Sequence, residues 1–233
     1  VDLSVYLDKY RSELVEWGLY GMGSLDFPFD NTGDHYLDAA ERDLDHNDNQ
    51  GNINALANAK RAIDVQIEAL IKVLGLKKGS SFPGRVERLK EIGIVAPRIL
   101  NKVNKVRNTL EHDFKSPERA FTEDAVDVAT LFVKLTNEIF FGFYGQVEYE
   151  QAYASRGRRP HELGKTATGL RITFEETYSG FHVEGYVVNK KPVDYQVKPG
   201  MPEHVPLMKL FIGLRSPEKD PFVFLDQAIK EIC

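Results

Sequence analysis

The chain has 233 residues, 42% of them hydrophobic and 28% charged, with a formal net charge of −5. That length can bury one good-sized core, or a core with a small satellite. The composition excludes a disordered or fibrous chain, and the acidity argues against non-specific coating of nucleic acid. The single cysteine, Cys233, excludes a disulfide framework and a cysteine-based zinc site. No apolar run of about 18 residues is present, so no membrane span is expected. Val1-Asp2-Leu3 carries neither an initiator methionine nor a signal-peptide pattern. A trimmed start and a cytoplasmic protein are the expectations.

Leu3, Leu7, Tyr10, Leu14 and Trp17 recur at helical spacing, and Gly18, Gly21 and Gly23 end the stripe. A short helix capped by Asp34 and running to Leu44 is expected next. Leu56, Ile63, Ile67, Leu70 and Leu74 mark a long helix closed by Gly75 or Gly79, and Val86, Leu89 and Ile92 a shorter one ended by Gly93. Pro97 suits a helix first turn, where its missing N–H costs nothing, and Ile99, Val103, Val106 and Leu110 then share a stripe. Thr122 reads as the N-cap of a last helix bearing Ala125, Val128, Phe132, Leu135 and Ile139. Four or five antiparallel helices around one core follow from this pattern.

From residue 144 the period is lost, and 144–166 reads as a linker. Beyond it Leu170, Ile172 and Phe174 alternate with polar neighbours, as do Phe181 and Val183, with a turn at Thr177–Gly180 between them. Val193, Tyr195 and Val197 add a third strand, and Pro221 to Ile232 a terminal helix. The expected fold is mainly α: a helical domain over 1–143, the linker, and a small α+β domain over 167–233.

Charge is unevenly spread. Residues 30–50 carry seven acids against Arg42, whereas 77–107 carry nine bases against Glu87 and Glu91. A run of one sign is usually a solvated face, but the basic one is also a candidate surface for a phosphate backbone. Several motifs fail. Gly164-Lys165-Thr166 lacks the earlier glycine of a phosphate-binding loop, which would fall at Arg159. A calcium loop begun at Asp43 has Asp48 where glycine is needed and Asn54 where glutamate is needed. His35, His46, His161, His182 and His204 are scattered, and each is expected to be a surface or hydrogen-bonded histidine. Neither a metal site nor a cofactor site is expected.

One stretch survives: Arg107-Asn108-Thr109-Leu110-Glu111-His112. At 100° per residue, Val103, Val106 and Leu110 fall within about 40° of Ile99, while Asn108 and His112 lie on the opposite side, four residues apart. Arg107 is on the flank, with a stem long enough to swing round. His112 thus points away from its own helix's core. Two plainer roles exist for these residues: a surface ion pair of Arg107 with Glu111, and His112 interacting with the dipole of a helix C-terminus.

The run resembles the signature of the HEPN family, whose ribonucleases carry an arginine, a polar residue, three variable residues and a histidine. A long helix before it and an amphipathic helix after it match that context, and the resemblance covers roughly residues 35–143. It implies an antiparallel helical bundle and metal-independent RNA cleavage, leaving a 2′,3′-cyclic phosphate and a 5′-hydroxyl. It also implies a homodimer in which two motifs share one cleft, and a prokaryotic defence or toxin-like role with a possible antitoxin partner. His112 would transfer protons, Arg107 would grip a phosphate oxygen, and Asn108 would orient one or the other. Lys102, Lys105 and Arg98, on the chain leading into the motif, would hold the RNA backbone. Some HEPN toxins carry a tyrosine two residues after the histidine, which an antitoxin modifies; Phe114 stands there and has no hydroxyl. The alternative is a non-catalytic HEPN-like module that dimerises and binds RNA or a nucleotide.

Overall fold

The structure is a computed structural model that describes residues 3–94, 100, 117–151, 168–187, 190–216 and 219–233. It divides into two compact units, one of Val1–Ser24 with Gly142–Cys233 and one of Leu25–Phe141. In chain order the first unit holds α1 (Leu3–Tyr10) and β1 (Glu16–Gly23), then β2 (Phe143–Glu150), β3 (Thr168–Glu175), β4 (Gly180–Val187) and β5 (Val193–Val197). The second holds α2 (Gly33–Asp45), α3 (Asn49–Val73), α4 (Phe82–Glu91) and α5 (Arg119–Phe141). The chain closes in the first unit with α6 (His204–Gly213) and α7 (Pro221–Ile232). Among the described residues no helix is long and apolar enough to cross a membrane.

The five strands form one antiparallel sheet in the order β1-β2-β3-β4-β5. The expectation of a mainly helical bundle with a small α+β tail is therefore corrected: the fold is mixed α+β, and its sheet draws strands from both ends of the chain. The periodicity of residues 3–17 misleads because it runs across two elements. Helix α1 stops at Tyr10, a single tight turn (Arg11–Glu13) follows, and Val15 N–H already bonds to Glu150 O at 2.8 Å. The glycines of β1 read as stop signals, yet β1 pairs with β2 from Glu16↔Glu150 to Gly23↔Phe143. Distant pairing overrides local preference here. Gly21 is the glycine that its backbone requires, at φ +64°.

Strand β2 lies where a linker from 144 was expected. It alternates Gln146, Val147, Glu148, Tyr149, Glu150, and its even positions look like solvated polar residues. In the fold Val147 and Tyr149 are fully buried on one face of the sheet. The register places Leu170, Ile172 and Phe174 of β3 on that face, with Phe181, Val183 and Gly185 of β4 and Val193 and Val197 of β5.

Three helices cover this apolar face. Phe181 lies at its centre, with ring centroids 5.5 Å from Phe174, 5.1 Å from Phe211 of α6 and 5.7 Å from His204. The Tyr149 ring meets that of Phe222 of α7 in a tilted contact, centroids 5.4 Å apart. From α1 the buried Tyr6 donates to Gly169 O at 2.6 Å, and a Cβ at Gly185 would lie 2.8 Å from its ring. The sequence reading missed α6, whose buried residues Pro206, Leu207, Met208, Leu210 and Phe211 leave little polar periodicity.

His204 is a hydrogen-bonded core histidine, its Nε2 2.9 Å from Ser179 O. Burial holds its imidazole below the ordinary value near 6.5, against the opposing effect of that bond. The unfolded chain therefore takes up this proton at higher pH than the folded one. The histidine's contribution to stability is complete above about 6.5 and is lost as pH falls through that value toward the lower folded one. Urea midpoints near pH 7.5 and about pH 5 should differ more for the native protein than for His204→Gln.

The second unit is helical in its described residues. Asp43 Oδ2 accepts from Asn58 across the short α2–α3 turn at 2.8 Å. Asp34 at the start of α2 bonds to Lys134 and Asn137 near the end of α5, while Arg119 at the start of α5 donates to Leu44 O. Thus α2 runs antiparallel to both α3 and α5. The cap of α2 is Thr32, whose hydroxyl accepts from His35 N–H while the His35 ring accepts from Thr32 N–H, and Asp34 is in the first turn. Thr122 is a buried residue inside α5, not its cap, and bonds back to Glu118 O at 3.2 Å. Leu135 was expected on the buried face of that helix but is 71% exposed. The inward positions are Ala125, Val126, Ala129, Phe132, Val133, Thr136 and Ile139.

Burial alone would raise the Asp34 carboxyl, but hydrogen bonds from Lys134 and Asn137 outweigh it and hold it below the usual carboxylate value of 3.8. Its contribution is therefore present above that value and is lost as pH falls through the lower folded one. Asp34→Asn should lower the urea midpoint at neutral pH and narrow the gap to the native protein near pH 3.

Candidate functional site

The expected site residues Arg107, Asn108 and His112, and the expected RNA contacts Lys102, Lys105 and Arg98, lie outside the described residues. What the structure describes on either side are Leu100, which is 1% exposed, and α5, which begins at Arg119.

The described half of the basic run is informative. Arg85 pairs with Glu68 at 3.2 Å and Asp64 at 3.4 Å on α3, and Lys78 pairs with Glu68 at 3.2 Å. Arg88 pairs with Glu91 at 2.7 Å and Lys90 with Glu87 at 2.8 Å along α4 itself. The positive charge counted over 77–90 is thus largely met by carboxylates, two of them from a helix outside the run. Sequence counting could not show this, because Asp64 and Glu68 fall before the window. Surface pairs of this kind add little stability but cancel local field. Within the basic run, the described bases of α4 are therefore poor candidates for holding a phosphate backbone.

A buried polar network sits where α2, α3 and α5 meet. Gln66 Nε2 donates to Thr136 Oγ1 and Asn137 Oδ1, both at 2.9 Å, and Asn137 donates to Asp34 at 2.8 Å. Gln66 is fully buried. The set contains no nucleophile beside a base, so its chemistry is that of a register device, fixing the three helices against one another.

The polar face of the sheet carries the other cluster that the sequence reading missed. Glu148, Arg171 and Glu184 are cross-strand neighbours on β2, β3 and β4. Arg171 Nε donates to Glu148 Oε1 at 2.8 Å and its Nη1 to Glu184 Oε2 at 3.1 Å; Tyr186 donates to Glu184 at 2.7 Å. Gln146 also donates to Glu148 Oε1, while Glu148 Oε2 is buried without a partner. Burial therefore raises the Glu148 carboxyl above its ordinary value, more than Arg171 and Gln146 lower it. Burial and the bond to Glu184 push the Tyr186 phenol up to about 12. The alternation of β2 was the available signal, since Gln146 and Glu148 only meet Arg171 if residues 143–150 form a strand. With its one guanidinium held by two carboxylates, the cluster joins the strands and presents no free cation to a phosphate.

Among the described residues no three His, Cys, Asp or Glu side chains gather as metal ligands. No protein-family model, no curated protein and no solved structure matches this chain.

Proposed function

We propose that the chain is a HEPN-type endoribonuclease of prokaryotic defence or toxin-like character, acting in the cytoplasm on RNA. The observation that carries the reading is the run Arg107-Asn108-Thr109-Leu110-Glu111-His112, set in chain order between the long helices α3 and α5 of a helical unit. RNA supplies its own nucleophile in the 2′-hydroxyl. A base must remove that proton, an acid must protonate the leaving 5′-oxygen, and a cation must hold the extra charge on phosphorus. An imidazole titrates near neutral pH and serves proton transfer; a guanidinium matches two phosphate oxygens with a planar fork. In this reading His112 moves the proton, Arg107 holds the phosphate and Asn108 orients them. Two copies of the chain share one cleft as a homodimer. Lys102, Lys105 and Arg98 hold the backbone, a role sharpened by the pairing of the α4 bases with acids.

The test is incubation of the purified full chain with a mixed RNA substrate in EDTA. Accumulation of shorter products supports the proposal. Saturable RNA binding without any product overturns it in favour of a non-catalytic HEPN-like binding module.

A further inference from the structure

A second place on the molecule has the makings of a binding site, and it lies wholly in the sheet-containing unit. Tyr6 of α1 is seated on β3 and β4 by bonds to Gly169 O at 2.6 Å and Tyr186 O at 3.2 Å. Beside it, α1 and the facing ends of β4 and β5 leave a cavity of about 300 Å³. Val5, Val187 and Val193 give it apolar walls, and Lys9, Lys190 and Lys191 line it as well. Val5 is 55% exposed, an unusual state for an apolar residue at a cavity wall.

Among the described residues the charges there are unbalanced. Lys190 Nζ donates to Tyr10 Oη at 2.8 Å and lies 5.3 Å from that ring's centroid; Lys9 Nζ approaches the same ring at 5.6 Å. Among the described residues neither of these lysines, nor Lys191, forms an ion pair with a carboxylate, in contrast to the matched bases of α4. Two ammonium groups converge on one neutral phenol. Their effect registers on Tyr10, whose phenol is held below its ordinary value, chiefly by the hydrogen bond from Lys190. Like charges gathered without a counter-charge favour an anion between them. Lysine binds phosphate as a compact point charge, and three of them suit a dianion better than a carboxylate.

We propose that this cavity binds a nucleoside monophosphate, with the phosphate among Lys9, Lys190 and Lys191 and the base on the valine and tyrosine wall. The volume is at the lower end of the range of small-molecule sites, roughly 300–1,000 Å³, which fits a ligand no larger than a mononucleotide. The site owes nothing to the ribonuclease reading, since it uses none of residues 98–112.

Calorimetric titration of the full chain with AMP at low salt tests it, with adenosine and inorganic phosphate as the arms that separate ring from headgroup. Saturable one-to-one binding of AMP is expected, with adenosine and inorganic phosphate each at least about tenfold weaker. The double variant Lys9→Gln/Lys190→Gln, both changes at exposed positions, should weaken AMP by about tenfold or more while its melting temperature stays put. AMP affinity unchanged in that variant, inorganic phosphate binding as tightly as AMP, or no saturation by AMP would each overturn the proposal. No RNA enters the titration, so its failure leaves the nuclease reading untouched.

Discussion

His112→Ala is expected to lower the RNA cleavage rate by about 10²–10⁴-fold, the usual worth of a positioned proton-transfer group. Arg107→Ala should cost about 10²–10³-fold, comparable to removing one donor that stabilises developing negative charge. These changes differ in character. An imidazole's contribution to proton transfer depends on its protonation state, so on the proposed reading the native protein should show a bell-shaped or single-limbed pH profile that His112→Ala flattens. The guanidinium is charged throughout, so Arg107→Ala should lower the whole profile without altering its shape. Arg107→Lys keeps the charge and loses the fork, and recovers only part of the rate if two phosphate oxygens are gripped together. Melting curves of all three should overlay that of the native protein, since His112 falls opposite, and Arg107 on the flank of, the apolar stripe of Ile99, Val103, Val106 and Leu110. Unchanged rates in both alanine variants would remove the motif from the chemistry.

Phe181→Ala is expected to destabilise the sheet-containing unit by about 3–5 kcal/mol, the range for deleting a fully buried aromatic ring. Phe181 is 0% exposed and its ring meets Phe174, Phe211 and His204, so its loss opens a cavity bordered by β3 and α6 that rigid neighbours cannot fill. Phe141→Ala is the matching control: the same deletion at a residue 73% exposed should change little. Urea unfolding followed by near-ultraviolet dichroism, which reports ring packing, compares the two. Equal midpoints would mean that Phe181 is not a core residue.

Helices α3 and α4 were legible in the sequence because stripe and stop agree. Leu56, Ile63, Ile67 and Leu70 lie on the buried side of α3, buried Leu74 caps it, and Gly75 follows at φ +62°; Gly93 ends α4 in the same way at φ +89°. Strands β3 to β5 were legible because each alternates within itself. Strands β1 and β2 were not, since β1 pairs with β2 some 120 residues away in the chain, by the pairing of Gly23 with Phe143, and β2 forms only between β1 and β3. Three glycines in β1 and three polar residues in β2 give local signals for turns and linkers, and only the sheet's shared apolar face reverses them. The cap of α2 was misplaced by two residues because Thr32 and Asp34 are both good cap residues, and only the His35 ring decides between them. Charge was the most deceptive reading. A count along the chain cannot register that Asp64 and Glu68 of α3 sit against Arg85. The same limit hid the lysines of α1 and of the segment before β5, which converge only after α1 docks on the sheet through Tyr6.

The proposed chemistry of the motif is tested most directly by the ends of any RNA fragments that the protein releases. Attack by the 2′-hydroxyl, assisted by His112 and Arg107, must leave a 2′,3′-cyclic phosphate on one fragment and a 5′-hydroxyl on the other. Mass spectrometry of a short defined RNA digested in EDTA should show that pair of ends in the native protein and intact substrate in His112→Ala. Fragments ending in 3′-hydroxyl and 5′-phosphate would contradict the account, because they require water rather than the ribose as the nucleophile.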